Sequence, residues 1–254
     1  MLSKNSLAYY KSLHQKKYRL EHNAFLVEGE KIAQTILEES PEFVKTIVCS
    51  EDWASNNPLF LKNFEVQIAS SKDFERISQL VSPPPVLLEL NLIENKLALV
   101  DTDLVLLLEG IRDPGNMGTI IRLADWFGIK QLVLSEDCVD LHNSKTVQST
   151  MGSLLRMNYH LENLPKFIET HQPNSSAIIH ATSLNGLNLY AKPVEPQNPH
   201  WIIIGSESHG ISPELEQLAQ SSIKIPSYGQ AESLNVGVAT GIICAYFRQQ
   251  LTSR

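Results

Sequence analysis

Three short stretches of this 254-residue chain carry side chains that could do chemistry, and each follows an apolar run that reads as a strand. The first is Glu109-Gly110-Ile111-Arg112-Asp113-Pro114-Gly115-Asn116-Met117-Gly118, leading to Arg122. Pro114 and Gly115 suit the middle of a tight turn, Gly118 permits close backbone approach, and Arg122 lies about one helical turn further on. The second, Gly205-Ser206-Glu207-Ser208-His209-Gly210-Ile211-Ser212, sets Glu207 at the end of Trp201-Ile202-Ile203-Ile204. A carboxylate there costs free energy unless it is paired or faces a site. His209 in the same turn reads as an exposed loop histidine rather than a base. The third stretch places Ser233 and Asn235, neutral hydrogen-bonding groups, at the mouth of an otherwise apolar helix. Ser233 reads equally well as a plain N-cap. Asn235 is a middling helix former among hydrophobes, so helix propensity does not explain it.

Several chemistries are excluded by what is missing. The first turn has neither the G-x-G-x-x-G of a dinucleotide site nor the Gly-Lys-Ser/Thr of a phosphate loop. Cys49, Cys138 and Cys244 are far apart and odd in number, so they suggest neither a zinc site nor a disulfide framework. They read as small buried hydrophobes in a reducing compartment. No metal is expected.

With 43% apolar and 19% charged residues, the chain belongs with ordinary globular proteins rather than disordered ones. No apolar run approaches the roughly 18 residues of a membrane span, and the N-terminus lacks the apolar core of a secretion signal. A cytoplasmic protein with no membrane partner is expected. The net charge of −7 argues mildly against nucleic acid, but its distribution does not. Residues 1–31 hold six Lys/Arg against three Glu, about +3, on an otherwise acidic body. Lys16, Lys17 and Arg19 form the centre of that basic stretch, and a local basic segment on an acidic body fits a protein that touches RNA at one end only.

The elements that must position these groups fall into two halves. Before the break at Ser82-Pro83-Pro84-Pro85, residues 25–27, 44–49 and 64–69 read as strands. Residues 30–39 read as a helix with Ile32, Ala33, Ile36 and Leu37 on one side. A connection over residues 91–103 leads into the second half, giving an N-terminal domain of residues 1–95 and a larger domain of residues 96–254. In the latter, strands are expected at 104–109, 131–135, 177–181, 201–204 and 222–225. Helices are expected at 119–127, closed by Gly128, and at 213–219 behind an N-cap Ser212. A final helix from Leu234 to about Gln249 is apolar on nearly every side and should be buried or pack on a partner. Alternating strands and helices predict an α/β fold with a mainly parallel sheet, whose ligands sit at the carboxyl ends of the strands.

The three stretches together resemble the signature motifs of the SpoU/TrmH family of RNA ribose methyltransferases, in their usual order. The carriers are Asn116, Gly118 and Arg122, then Gly205, Glu207 and Gly210, then Ser233-Leu234-Asn235-Val236; the likeness spans residues 104–250. Upstream, Lys16-Lys17-Tyr18-Arg19 and Phe25-Leu26-Val27-Glu28-Gly29 are similar to the start of the RNA-binding N-terminal domain of members that act on ribosomal RNA. The resemblance implies a SPOUT fold whose C-terminal part is threaded into a trefoil knot. It implies S-adenosylmethionine held by backbone around Thr182, Gly205, Ile225 and Leu234, and a homodimer whose subunits build each active site together. It further implies catalytic roles for Asn116, Arg122, Glu207, Ser233 and Asn235. Arg112 and the pair Ser208-His209 depart from the usual letters and bear on substrate choice.

The expected reaction is methylation of a ribose 2′-hydroxyl, with ribosomal RNA as substrate. Such a protein must mainly align the ribose oxygen with an already activated methyl and help remove the hydroxyl proton. Family proposals give that proton to Arg122. A guanidinium with a pKa above about 12 is better suited to gripping phosphate and stabilising developing charge. Asn116 and Glu207 would orient Arg122, while Ser233 and Asn235 would hold the ribose or the cofactor carboxylate. Transfer RNA as substrate, or a catalytically silent RNA-binding ribosome assembly factor, are the alternatives.

Overall fold

The computed structural model describes residues 1–99, 102–191 and 193–252. The chain divides into two compact units, one of residues 1–93 with 140–155, the other of residues 94–139 with 156–254. A single cut near residue 95 therefore leaves out the segment 140–155, which belongs to the first unit.

The first unit opens with α1 (Lys4–Ser12), N-capped by Ser3, and α2 (Lys16–His22), closed by Asn23 in the left-handed region. There follow β1 (Ala24–Glu28), α3 (Glu30–Glu39), β2 (Val44–Cys49), α4 (Glu51–Asn56), α5 (Pro58–Leu61), β3 (Glu65–Ile68), α6 (Ser71–Ile77) and β4 (Val86–Asn91). The strands form one sheet in the order β1-β4-β2-β3, antiparallel at β4 and parallel between β2 and β3. β4 lies in the middle directly after the proline run, and sequence reading left it unassigned. Its Val-Leu-Leu-Glu-Leu is buried on both faces, so it lacks strand alternation, and Glu89 interrupts the apolar run. That carboxylate is tolerated because it accepts from the Tyr9 hydroxyl at 2.5 Å and pairs with Lys45 at 3.2 Å. Tyr10, Leu13, Leu26, Val48, Phe74 and Leu87 fill the core on one side.

Arg19 has a different role from the one its basic neighbours suggest. It is 3% exposed, donating from Nη1 to the Leu13 carbonyl at 2.9 Å and from Nη2 to Asp140 at 2.6 Å. Burial alone would raise the Asp140 carboxyl. Hydrogen bonds from His142 and Arg19 outweigh it and hold Asp140 well below the usual carboxylate range. Arg19 therefore ties the 140–155 segment to α2 and has no free face for a phosphate, which corrects its assignment as an RNA contact. Lys16 and Lys17 are exposed.

The second unit alternates strand and helix: β5 (Leu104–Leu108), α7 (Pro114–Trp126) and β6 (Gln131–Leu134). The chain then crosses to the first unit, where α8 (Ser144–Thr150) packs on β1. It returns with β7 (Asn158–Leu161), α9 (Leu164–Ser175), β8 (Ile178–Asn188), β9 (His200–Ile204), α10 (Pro213–Leu218), β10 (Ser221–Lys224) and α11 (Val236–Thr252). The sheet order is β10-β8-β9-β5-β6-β7 and every pairing is parallel. β5 and β9 lie in the middle and are wholly buried, which is why they read as unbroken Leu/Val and Ile runs. Val105, Leu107, Phe167, Trp201, Ile203 and Leu215 pack one face of the sheet. The edge strand β7, Asn-Tyr-His-Leu, is half-buried and has no apolar run to signal it.

At the amino ends of β8 and β9 a directional hydrogen-bond chain is buried against Phe247. His200 Nε2 faces the Glu195 carbonyl at 2.8 Å and must donate, so His200 Nδ1 accepts from His180 Nε2 at 2.9 Å. His180 Nδ1 then accepts from Ser221 Oγ at 2.6 Å. Both rings are thereby held neutral, and burial with the neighbouring His200 pushes His180 down to about 4.

Two outcomes follow for stability. Arg19→Ala, which leaves Asp140 Oδ2 without its cation while His142 still holds Oδ1, should cost about 2–4 kcal/mol in urea unfolding. On acidification the unfolded chain protonates near the ordinary histidine value of about 6.5, while folded His180 does so only at about 4. The native state should therefore lose stability as pH falls through that window and level off below it. Thermal midpoints across the window should fall steeply for the parent chain and less for His180→Asn.

Candidate active site

The first motif is a helix start rather than a turn. Asp113 is the N-cap of α7, its Oδ1 accepting from the Asn116 amide at 2.8 Å, and Pro114 occupies the first helical position. Pro114, Gly115 and Gly118 are thus helical, and α7 begins five residues earlier than the apolar periodicity indicates. The same correction applies at the third motif. α11 starts at Val236, and Asn235, not Ser233, caps it: Asn235 Oδ1 accepts from Gly237 N at 3.0 Å and Val238 N at 3.2 Å.

That cap determines the site. With Oδ1 committed to two amides, Asn235 Nδ2 must donate, and it does so to Asn116 Oδ1 and Glu207 Oε1, both at 2.9 Å. Glu207 Oε1 also accepts from Val236 N at 3.3 Å, which sets a carboxylate on the positive end of α11. The loop that delivers Glu207 closes on itself through Ser206 N to Gly210 O at 3.1 Å and Gly210 N to Ser206 O at 2.9 Å. A Cβ on Gly205 would stand 2.2 Å from the Gly210 carbonyl, so this loop excludes any side chain there. Asn116, Glu207 and Asn235 therefore converge from three elements. Asn116 Nδ2 and Glu207 Oε2 are left without a partner among the described residues.

A cavity of about 730 Å³ opens beside this cluster at the carboxyl ends of the strands. Thr182, Gly205, Ile225, Ser233 and Leu234 line it together with Glu207. Ser233 joins the cluster through this shared wall and not through a hydrogen bond. A second cavity of about 670 Å³ adjoins the first across the 206–211 loop, and Asn116 lines it.

Arg122 stands apart. It is exposed, lines neither cavity, and bonds to neither Asn116 nor Glu207 within the chain. One helical turn beyond it, Trp126 is 82% exposed.

Two features of the site escaped sequence reading. Gly237 and Gly241 on α11 face Thr119 and Leu123 on α7: a Cβ on Gly237 would lie 2.8 Å from Thr119 Cγ2 and 3.2 Å from Asn235 Oδ1. The small-residue spacing of four was the available signal. The chain Gly110 N to Ser135 Oγ (2.9 Å), Ser135 Oγ to Asp137 (2.6 Å) and Arg112 to Asp137 (2.8 Å) links the loops after β5 and β6. Its members are 25 residues apart in sequence and carry no local pattern.

The parallel α/β unit, with its cavities at the strand ends, is a methyltransferase domain of the SPOUT class by its family match and its structural neighbours. The chain belongs to the SpoU rRNA Methylase family, whose sequence signature matches residues 103–245; an MRM3-like substrate binding domain signature matches residues 4–88. It is 31% identical over 239 residues to the 23S rRNA (guanosine(2553)-2′-O)-methyltransferase RlmP of Bacillus subtilis, covering 94% of each chain. The AdoMet-bound rRNA methyltransferase of Sinorhizobium meliloti superposes with a TM-score of 0.83 at 27% identity, over 100% of this chain and 97% of that one. The SpoU methyltransferase AviRb of Streptomyces viridochromogenes, solved with AdoMet, gives 0.85 over 99% of each chain. At 22% identity that likeness speaks for the fold.

Gly237→Ala should force α11 away from Thr119 and disturb the Asn235 amide, at a cost of about 1–3 kcal/mol. Asn235→Ala should cost about 1 kcal/mol through the lost cap. Urea unfolding of the two variants checks both values and their order.

Proposed function

We propose that this protein is an S-adenosylmethionine-dependent RNA methyltransferase that modifies a ribose 2′-hydroxyl in ribosomal RNA and works as a homodimer. The observation that carries the reading is the Asn116–Asn235–Glu207 cluster lying against a cavity of suitable size. Its 730 Å³ falls within the roughly 300–1,000 Å³ of small-molecule sites. The residues fit the cofactor: backbone at Gly205, apolar Ile225 and Leu234 and the Thr182 hydroxyl would line it. Lys224 and Glu232, on the same wall, would meet the charged amino-acid end. When bound, the cofactor supplies a methyl group already activated on a sulfonium.

The chain's own residues then align and hold the acceptor. Asn116 Nδ2 offers a hydrogen bond to the ribose oxygen and Glu207 Oε2 accepts one from the hydroxyl, both fixed in direction by Asn235. Arg122, a cation with no hydrogen-bond or ion-pair partner among the described residues, grips the RNA phosphate and stabilises charge developing on the 2′-oxygen. Its position outside both cavities supports a shared site, in which Arg122 serves the cluster of the partner subunit. The exposed Trp126 and Val238, on α7 and α11, support the same interface. The SPOUT neighbours support a knotted C-terminal part.

Lys16 and Lys17 on the first unit are the remaining basic contacts for RNA, consistent with the substrate-binding signature over residues 4–88. RlmP, named for a ribosomal RNA guanosine, matches nearly the whole chain and favours ribosomal over transfer RNA. Cys49 and Cys244 are buried free thiols, as befits a protein of the reducing cytoplasm, where we place it.

The test is transfer of labelled methyl to ribosomal RNA, with 2′-O-methylation mapped on the product. Arg122→Ala should abolish transfer and leave cofactor affinity within about twofold. Mixed with equally inactive Glu207→Gln, it should regain about a quarter of parental activity through heterodimers carrying one intact site. Full activity of Arg122→Ala, or no recovery on mixing, rules out the shared site.

A further inference from the structure

The second cavity is not needed to hold the cofactor, yet it opens directly on the outward groups of the cluster. Asn116 lines it and not the cofactor cavity, Glu207 lines both, and the 206–211 loop is the wall between them. An acceptor oxygen held by Asn116 Nδ2 and Glu207 Oε2 must therefore arrive from the second cavity. We propose, resting on the methyltransferase reading above, that this cavity receives the nucleoside bearing the reacting hydroxyl, and that Arg112, aimed by Asp137, packs its guanidinium on the base.

Charge and geometry both favour a base over a phosphate here. Four carboxylates line the cavity, those of Glu109, Asp113, Asp137 and Glu207, against the cation of Arg112 and the imidazole of His209. Two of those carboxylates have one oxygen committed, Glu109 to Ser212 N at 2.8 Å and Asp113 to Asn116 N at 2.8 Å. Their other oxygens are free to accept. Such a lining repels a phosphate and suits the N–H edge of a base taken out of its stack.

Arg112 supplies the planar element. Its Nη2 bonds to Asp137 Oδ2, Asp137 Oδ1 accepts from Ser135 Oγ, and Ser135 Oγ accepts from Gly110 N. The hydroxyl of Ser135, then the Arg112 guanidinium, hold Asp137 below the usual carboxylate range despite some burial. Gly110, at φ +63°, brings the two loops close enough that an added Cβ would lie 3.3 Å from Asp137 Oδ2. An ion pair whose side chains are 71% and 50% exposed contributes little to stability, so this arrangement is poorly explained as a fold-stabilising device. It does hold a guanidinium plane at the mouth of a cavity, and such planes stack on nucleobases.

The experiment compares steady-state methyl transfer to protein-free ribosomal RNA, isolated from cells lacking the gene, for the parent chain, Arg112→Ala, Arg112→Lys, Asp137→Asn and Arg112→Ala/Asp137→Asn. Cofactor affinity by calorimetry and thermal midpoints are measured in parallel. Arg112→Ala should raise the KM for RNA about tenfold, leaving cofactor Kd within twofold and the melting midpoint nearly unchanged. Arg112→Lys, which keeps the charge but not the plane, should be no better. Asp137→Asn should raise KM less, and the double variant no more than Arg112→Ala, because Asp137 acts through Arg112. An unchanged KM, rescue by lysine, or additive effects in the double variant overturns the base-packing role. Loss of cofactor affinity in step with KM overturns the separation of the two cavities. A parent chain that transfers no methyl to RNA overturns instead the reading on which the inference rests.

Discussion

The Asn235 side chain has four hydrogen-bonding positions to satisfy, and all four are used. Two backbone amides at the start of α11 take its oxygen, and its nitrogen is divided between Asn116 and Glu207. Because an amide at a helix start must turn its oxygen toward the free N–H groups, the direction of Asn235 is dictated by the helix rather than by any ligand. That direction propagates: the Asn116 oxygen must face Asn235, so its nitrogen faces outward. Glu207 keeps one oxygen at the positive end of α11 and presents the other. A helix cap thus serves as the reference for the chemistry, and the orientation of three side chains reduces to one backbone requirement.

The surrounding structure supports that requirement at short range. Gly237 and Gly241 let α11 lie on α7 closely enough for Asn116 to be reached, and the tight loop at Gly205 to Gly210 sets Glu207 between two cavities. β5 and β9, central and buried on both faces, carry the loops that converge there. The site follows the usual logic of an open parallel sheet, with rigid strands beneath and polar groups on the turns that leave them.

Much of this was legible in the residues. The buried parallel strands announce themselves as unbroken Leu, Val and Ile runs, α3 by its one-sided apolar spacing, and the motif residues by polar types at the ends of those runs. What stayed hidden depended on partners distant in the chain. β4 could not be read because its carboxylate, Glu89, is neutralised by Tyr9 and Lys45 from elsewhere. Arg19 sits in the sequence among surface cations, and the carboxylate that buries it, Asp140, lies 121 residues away. The starts of α7 and α11 differ from those that apolar spacing and a Ser233 cap indicate, because the cap of each helix is decided by which side chain reaches its free amides, Asp113 in one and Asn235 in the other. The resemblance to SpoU/TrmH enzymes supplied what periodicity cannot, since three motifs spread over more than a hundred residues have no local reason to coincide.

The separation of the cluster's members along the chain has a consequence for folding. Asn116 and Asn235 are 119 residues apart and Glu207 lies 28 before Asn235, so no local segment can assemble the group by itself. Each contact closes a long loop whose entropy must be overcome, so the cluster exists only once distant parts of the chain have come together. A small molecule that recognises it binds the finished protein and not its partly folded precursors, and so shifts the folding equilibrium toward completion in proportion to its own concentration.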